Sequence, residues 1–195
     1  MIQTTIPVIL ASSSPRRREL LQGLGIPFTV QSSDVDESTS PDLSPQQIVE
    51  SLAQRKAREV AKDVNDGLVI GADTIVVLDG KVLGKPRDEA DAFQMLQSLQ
   101  GREHTVYSGV TIVDVKTGRE EVSHRSTKVR IRSLTEQEIN AYIATKEPMD
   151  KAGSYAIQGI GATIVDSIDG DYFTVVGLPL NLLAGMLSRF GVQIL

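Results

Sequence analysis

The stretch GLVIGADTIVVLDGKVLGKP, Gly67 to Pro86, reads as a strand, a glycine break at Gly71, a second apolar run, and an Asp79-Gly80 pair that closes a hairpin. Upstream of it, Ser44, Pro45 and Gln47 make a helix start with a capping box, and the helix runs to about Lys62. Before the polar loop STSPDL lie an extended PFTVQSSDVDE (Pro27 to Glu37), a helix from Arg16 to Leu24 and a buried parallel strand PVILA (Pro7 to Ala11). Downstream, Asp88 caps a helix to about Leu99, and Thr105 to Val115 with Glu121 to Ile131 form a long hairpin around KTGR. Thr135 and Glu138 box the start of a short helix that stops before Pro148. Gly161 to Gly177 reads as a further hairpin turning at Asp169-Gly170, and Pro179 to Phe190 as a terminal helix. Helices alternate with strands early and hairpins dominate later. The expectation is an α/β fold with a mixed sheet, and clefts where loops leave strand ends.

At 195 residues, 41% hydrophobic and 23% charged, the chain can bury the core of one domain in two lobes. A formal net charge of −5 argues against general nucleic-acid binding, which needs a wide basic surface. The absence of cysteine removes thiolate chemistry and cysteine-bound zinc, and two histidines, His104 and His124, are too few for a histidine-rich metal site. Chemistry therefore rests on carboxylates, lysines, arginines and hydroxyls. MIQTTIPVIL has no basic leader region and no apolar run approaches the ~20 residues of a membrane span, so the expectation is a soluble cytoplasmic protein.

The informative charges are those that disobey the helical pattern. In LASSSPRRREL, Ser14 is the N-cap and Pro15 the first helical residue, so Arg16, Arg17 and Arg18 open the helix. A cation there opposes the helix dipole by on the order of 0.3–1 kcal/mol, which makes sense if an anion arrives to collect the N–H groups, the dipole and the guanidinium groups together. Arg17 shares the apolar face of Leu20, Leu21 and Leu24, and calls for either an internal carboxylate or an anionic ligand. Lys56 falls within the stripe of Ile48, Val49, Leu52, Ala53 and Val60. It either snorkels to the rim or reaches a phosphate. Asp73 stands between two apolar runs, where a carboxylate must cap a turn, find a partner or bind a metal. Lys85, between Gly84 and Pro86, and Glu37, at the end of DVDE, add a cation and a carboxylate, and PMDKAGSYAIQG adds Asp150, Lys151 and Gln158 in a segment too polar for a core strand. Such a set suits a polyphosphate and its Mg²⁺. No Walker loop and no Rossmann glycine motif is present, so side chains and the Ser14 helix start must hold the phosphates.

The segments LASSSPRRRELL, GADTIV, GKP, EPMDKAGSYAIQG and DGDY..VVGLP, in this order and over almost the whole chain, resemble the Maf family of nucleoside triphosphate pyrophosphatases. The resemblance implies a single domain over residues 1–195 related to the inosine triphosphatase fold: a mixed, elongated sheet between helices forming two lobes with a central cleft. It implies a homodimer that hydrolyses nucleoside triphosphates between the α and β phosphates with a divalent cation, Mg²⁺ or Mn²⁺. By that likeness Ser12, Arg16, Arg17, Glu37, Lys56, Asp73, Lys85, Asp150, Lys151 and Gln158 line the site. Asp73 resembles the family's proton acceptor, Glu37 shares the metal, and whether Asp73 is base, metal ligand or both stays open. Arg16, Thr74 and Gln158 resemble the specificity positions of the branch that favours dTTP and UTP over 7-methyl-GTP. The family is also associated with inhibition of septum formation, and the competing class is a nucleotide-binding regulator without turnover.

Overall fold

The computed structural model describes residues 6–32 and 34–195. The first five residues, on which the absence of a leader was partly read, and Ser33 of the extended Pro27–Glu37 stretch lie outside the described residues. The chain runs β1 (Val8–Ala11), α1 (Pro15–Gly23), β2 (Thr29–Val30), α2 (Pro45–Ala61), β3 (Leu68–Leu78), β4 (Lys81–Leu83), α3 (Glu89–Leu99), β5 (Glu103–Asp114), β6 (Glu120–Ile131) and α4 (Glu136–Ala144). Short 3-10 turns at Glu147–Asp150, Ala152–Ser154 and Gly159–Thr163 follow, then β7 (Val165–Asp169), α5 (Tyr172–Val176) and α6 (Leu180–Arg189). The strand order among the described residues is β2-β1-β3-β5-β6-β7, with β4 paired to β3. The sheet is mixed: β1 is parallel to β2 and to β3, while β4 on β3 and β7 on β6 are antiparallel.

The caps named from sequence account for the helix starts. Ser14 accepts from the Arg17 amide, and Ser44 with Gln47 and Thr135 with Glu138 form reciprocal boxes. The Thr135 amide, with Arg132 and the Thr135 hydroxyl, holds the Glu138 carboxyl down to about 2. Asp79 and Gly80 both adopt positive φ, 50° and 75°, the geometry of the tight hairpin that folds β4 back on β3.

Three readings change. β3 runs unbroken through Gly71; the residue is glycine because α2 lies against the strand, and a Cβ there would meet the Ala53 carbonyl oxygen at 2.2 Å. Among the described residues of the extended Pro27–Glu37 stretch, only Thr29–Val30 pairs as a strand. The hairpin expected over Gly161–Gly177 has its first arm, β7, but no second. Asp171 Oδ2 accepts from the Thr174 amide and hydroxyl, each at 2.7 Å, and this closes a helical turn in α5 instead.

Two compact units emerge: residues 1–73, 108–125 and 177–195 form the first, and residues 74–107 and 126–176 the second. In the first unit, β1 and the first half of β3 are buried on both faces, as the inner strands of a parallel arrangement are, while β2 at the edge is exposed. Val8 and Leu10 of β1 join α1 and α6 through Leu21, Leu183 and Met186, while Ile9 and Ala11 join α2 through Ala57 and Val60. Each of the valine, leucine, isoleucine and methionine side chains among these contributes about 1.5–3 kcal/mol of hydrophobic stabilisation. In the second unit, Leu96 and Leu99 of α3 and Ile139 and Ile143 of α4 pack with Val76, Leu78, Val129 and Ile131.

Candidate active site

In the first unit, charged groups gather where α1, α2 and β3 meet the 36–38 loop. The Ser12 hydroxyl is buried and accepts from the Ser14 amide at 3.2 Å and from an Arg17 terminal nitrogen at 3.4 Å. Arg17 Nε donates to the Gly177 carbonyl at 2.9 Å, so the guanidinium that sequence placed on the apolar face is half-buried and aimed by neutral oxygens. Burial, with Arg16 one residue away, pulls its proton affinity below the ordinary arginine range; the opposing fields of Asp73 and Glu37 offset part of this. Arg16 is half-buried in the same first helical turn.

Lys56 neither snorkels to water nor stands alone. Its Nζ lies 2.6 Å from Asp73 Oδ1 and 2.7 Å from Glu37 Oε1, with 13% of the side chain exposed. Asp73 is buried mid-strand on β3, and Glu37 reaches in from the loop. One cation thus marks the point where two carboxylates converge. A residue that sequence reading missed sets this up: Arg55 donates to the carbonyls of Asp36 and Ser38 at 3.0 and 2.7 Å, pinning the backbone on both sides of Glu37. Its signal was its place directly beside Lys56 on α2.

The remaining candidates belong to the second unit. Thr74 follows Asp73 on β3 and is half-buried. Lys85 is exposed after β4, and its loop is tied to the Lys151 segment by the Gly153 amide donating to the Gly84 carbonyl at 3.0 Å. Lys151 Nζ donates to Asp150 Oδ1 at 2.7 Å and to the Glu147 carbonyl at 2.6 Å. Gln158, half-buried, precedes the Gly159–Thr163 turn. Glu147, which sequence reading passed over, accepts from the Ile160 and Gly161 amides within that turn. Tyr155, in the same segment, lies 2.7 Å from His104 Nε2, and burial holds the imidazole down to about 4 while pushing the phenol up.

Comparison with solved structures gives the class first. The chain has the α/β fold of the Ham1 protein from Staphylococcus aureus, with a TM-score of 0.57 at 16% identity over 94% of this chain and 98% of that one. Within that class it belongs to the Maf-like protein family, whose model matches residues 7–190. It is 54% identical to a Desulforamulus reducens protein named dTTP/UTP pyrophosphatase, over 96% of this chain and 98% of that one. It is 55% identical to a protein of the same name from Moorella thermoacetica, over 96% of each.

Proposed function

We propose that this chain hydrolyses dTTP and UTP between the α and β phosphates, releasing the nucleoside monophosphate and pyrophosphate. The observation that carries the chemistry is the convergence of Asp73 and Glu37 on one ammonium group beside the half-buried Arg17. The relatives' names supply the substrates. Asp73 takes the proton of a water that attacks the α-phosphorus. The bond to the bridging oxygen breaks, and pyrophosphate leaves with its electron pair. Arg17, Lys56 and Lys85 stabilise charge on the phosphoryl oxygens as it develops. Ser12, Arg16, Thr74, Asp150, Lys151 and Gln158 serve substrate binding.

Asp73 and Glu37 fit a divalent cation, because both are oxygen donors and both already point at a single positive charge. Among the described residues no group of three or more Asp, Glu, His or Cys side chains gathers, so these two would hold Mg²⁺ or Mn²⁺ with phosphate and water completing the shell. The cation, when bound, neutralises phosphate charge and lowers the pKa of water. The reading is completed by a cytoplasmic homodimer of one domain that binds neither nucleic acid nor membrane. The chain passes between its two units four times, so neither is a contiguous segment, and no helix among the described residues is long and apolar enough to cross a membrane.

The test is pyrophosphate release from dTTP, UTP, GTP and 7-methyl-GTP with Mg²⁺ or Mn²⁺. The expected result is the highest kcat/KM on dTTP and UTP. Orthophosphate as first product would sink the reaction type, a higher kcat/KM on 7-methyl-GTP would sink the pyrimidine preference, and binding without turnover would leave the regulatory reading.

A further inference from the structure

Glu147 has no place in the proton transfer, yet it holds more of the second unit's polar segment than any residue assigned to substrate. Its Oε1 accepts from the Tyr142 hydroxyl at 2.8 Å and the Gly161 amide at 2.8 Å, and its Oε2 from the Ile160 amide at 3.0 Å. Its backbone carbonyl takes the Lys151 ammonium at 2.6 Å. Gly159, at φ +65°, completes the cradle: a Cβ there would come 2.5 Å from Oε2. The Tyr142 hydroxyl in turn accepts from the Ala156 amide at 3.1 Å, so one carboxylate and one phenol organise the chain on both sides of Gln158. Burial opposes the charged form of Glu147. The amides of Gly161 and Ile160, the Tyr142 hydroxyl and nearby Lys151 outweigh it and hold the carboxyl below its ordinary range.

We propose that Glu147 is a positioning residue that fixes where Gln158 and Lys151 present themselves, and so sets base selectivity; this rests on the functional reading above. The side chain works through the backbone of the Gly159–Thr163 turn, because Gln158 is the residue that turn follows directly. The main chain of the same residue anchors the Lys151 ammonium. Base recognition and phosphate charge in this unit thereby share one support. A misplacement of about 1 Å at such a support costs on the order of 10²-fold in rate.

Glu147→Gln tests this. The carboxamide keeps one acceptor oxygen but turns an NH₂ toward a backbone N–H, so the turn loses a hydrogen bond without losing volume. Three measurements are made on one preparation: amide hydrogen exchange at Ile160 and Gly161, the thermal midpoint, and kcat and KM for dTTP, UTP and GTP. The expected result is faster exchange at those two amides and a kcat/KM on dTTP and UTP lower by about 10²-fold, with the pyrimidine-to-GTP ratio falling as well. Tyr142→Phe, which keeps the carboxylate, should move the same ratio by about tenfold or more, the scale of one hydrogen bond to a charged group, and it carries the test if the first variant does not fold. Faster exchange with an unchanged substrate ratio in a variant that still folds overturns the inference and leaves the functional reading intact. A native protein that releases no pyrophosphate from either pyrimidine nucleotide overturns both.

Discussion

The cluster around Asp73 and the turn around Glu147 each withdraw a carboxylate from solvent, fully at Asp73 and partly at Glu147, and they satisfy it in opposite ways. Asp73 is met by the ammonium of Lys56, a side chain that also serves Glu37. Glu147 is met by the Ile160 and Gly161 amides of the main chain and by a tyrosine packed in the core. A side-chain partner can rotate away and be replaced by a ligand, whereas a backbone N–H leaves only if the turn unfolds. The first region is built to exchange partners and the second to keep them.

The largest effect should come from Asp73→Asn, which keeps the shape and removes the charge. Turnover is expected to fall by about 10²-fold or more, the scale of losing a general base, while the fold survives because the Lys56 ammonium keeps Glu37 at 2.7 Å. Near-native activity would break the assignment of exchange chemistry to the first region.

Lys56→Met comes next, with an expected drop in kcat/KM of about 10²-fold. A lysine that merely reached out of an apolar face would leave stability unchanged or raised when replaced by methionine. Here the change removes a cation from Asp73, whose side chain is only 10% exposed, so a loss of about 3 kcal/mol is expected. Mn²⁺ titrated without nucleotide should restore more of the midpoint in the variant than it adds to the native protein. An equal response in both would show that the carboxylate pair does not trade one cation for another.

Gly161→Ala sharpens the other side. A Cβ at Gly161 would sit 2.1 Å from the Ala156 carbonyl oxygen and 2.5 Å from the Tyr142 hydroxyl, so the turn must shift, at about 1–3 kcal/mol. Chemical denaturation should register that loss, and added Mn²⁺ should not repair it.

The effect that vanishes at neutral pH is a pH limb. Burial holds His104 down to about 4 against an ordinary value near 6.5, so the folded state binds fewer protons than the unfolded one. Its contribution is full above pH ~6.5 and is lost as the pH falls toward 4, by about 3 kcal/mol at most. His104→Gln should flatten that limb in denaturant midpoints taken across the range. An unchanged limb would mean that this part of the second unit admits water more readily than its packing implies.

The elements legible from sequence were those with local punctuation: Ser14-Pro15, the two capping boxes and Asp79-Gly80 each act within four residues. The misreadings arose where a local signal served a distant purpose. Gly71 looked like a break and is a contact surface for α2, and the segment after the Asp169-Gly170 turn looked like a second strand, whereas Asp171 there caps a helix. In the site, Arg17 and Lys56 were visible because they violated an apolar helical face, but their partners were not. The Gly177 carbonyl that aims Arg17 lies 160 residues away. Glu147 was hidden because a glutamate before proline in a polar run looks like a solvated residue; only Tyr142, five positions earlier, and the following glycines hinted at its cradle.

The close approach of α2 to the sheet has a genetic consequence. Gly71 meets Ala53, and a Cβ at Gly109 would come 2.3 Å from the Val49 carbonyl oxygen, so the helix carrying Lys56 rests directly on two bare stretches of strand. Any larger residue at either position would act as a shim, lifting the helix and drawing the ammonium off Asp73. A screen for inactive alleles should therefore recover substitutions at these two glycines alongside those at charged residues, and because each added Cβ meets the main chain of α2 first, neither trimming side chains along α2 nor more substrate should rescue them.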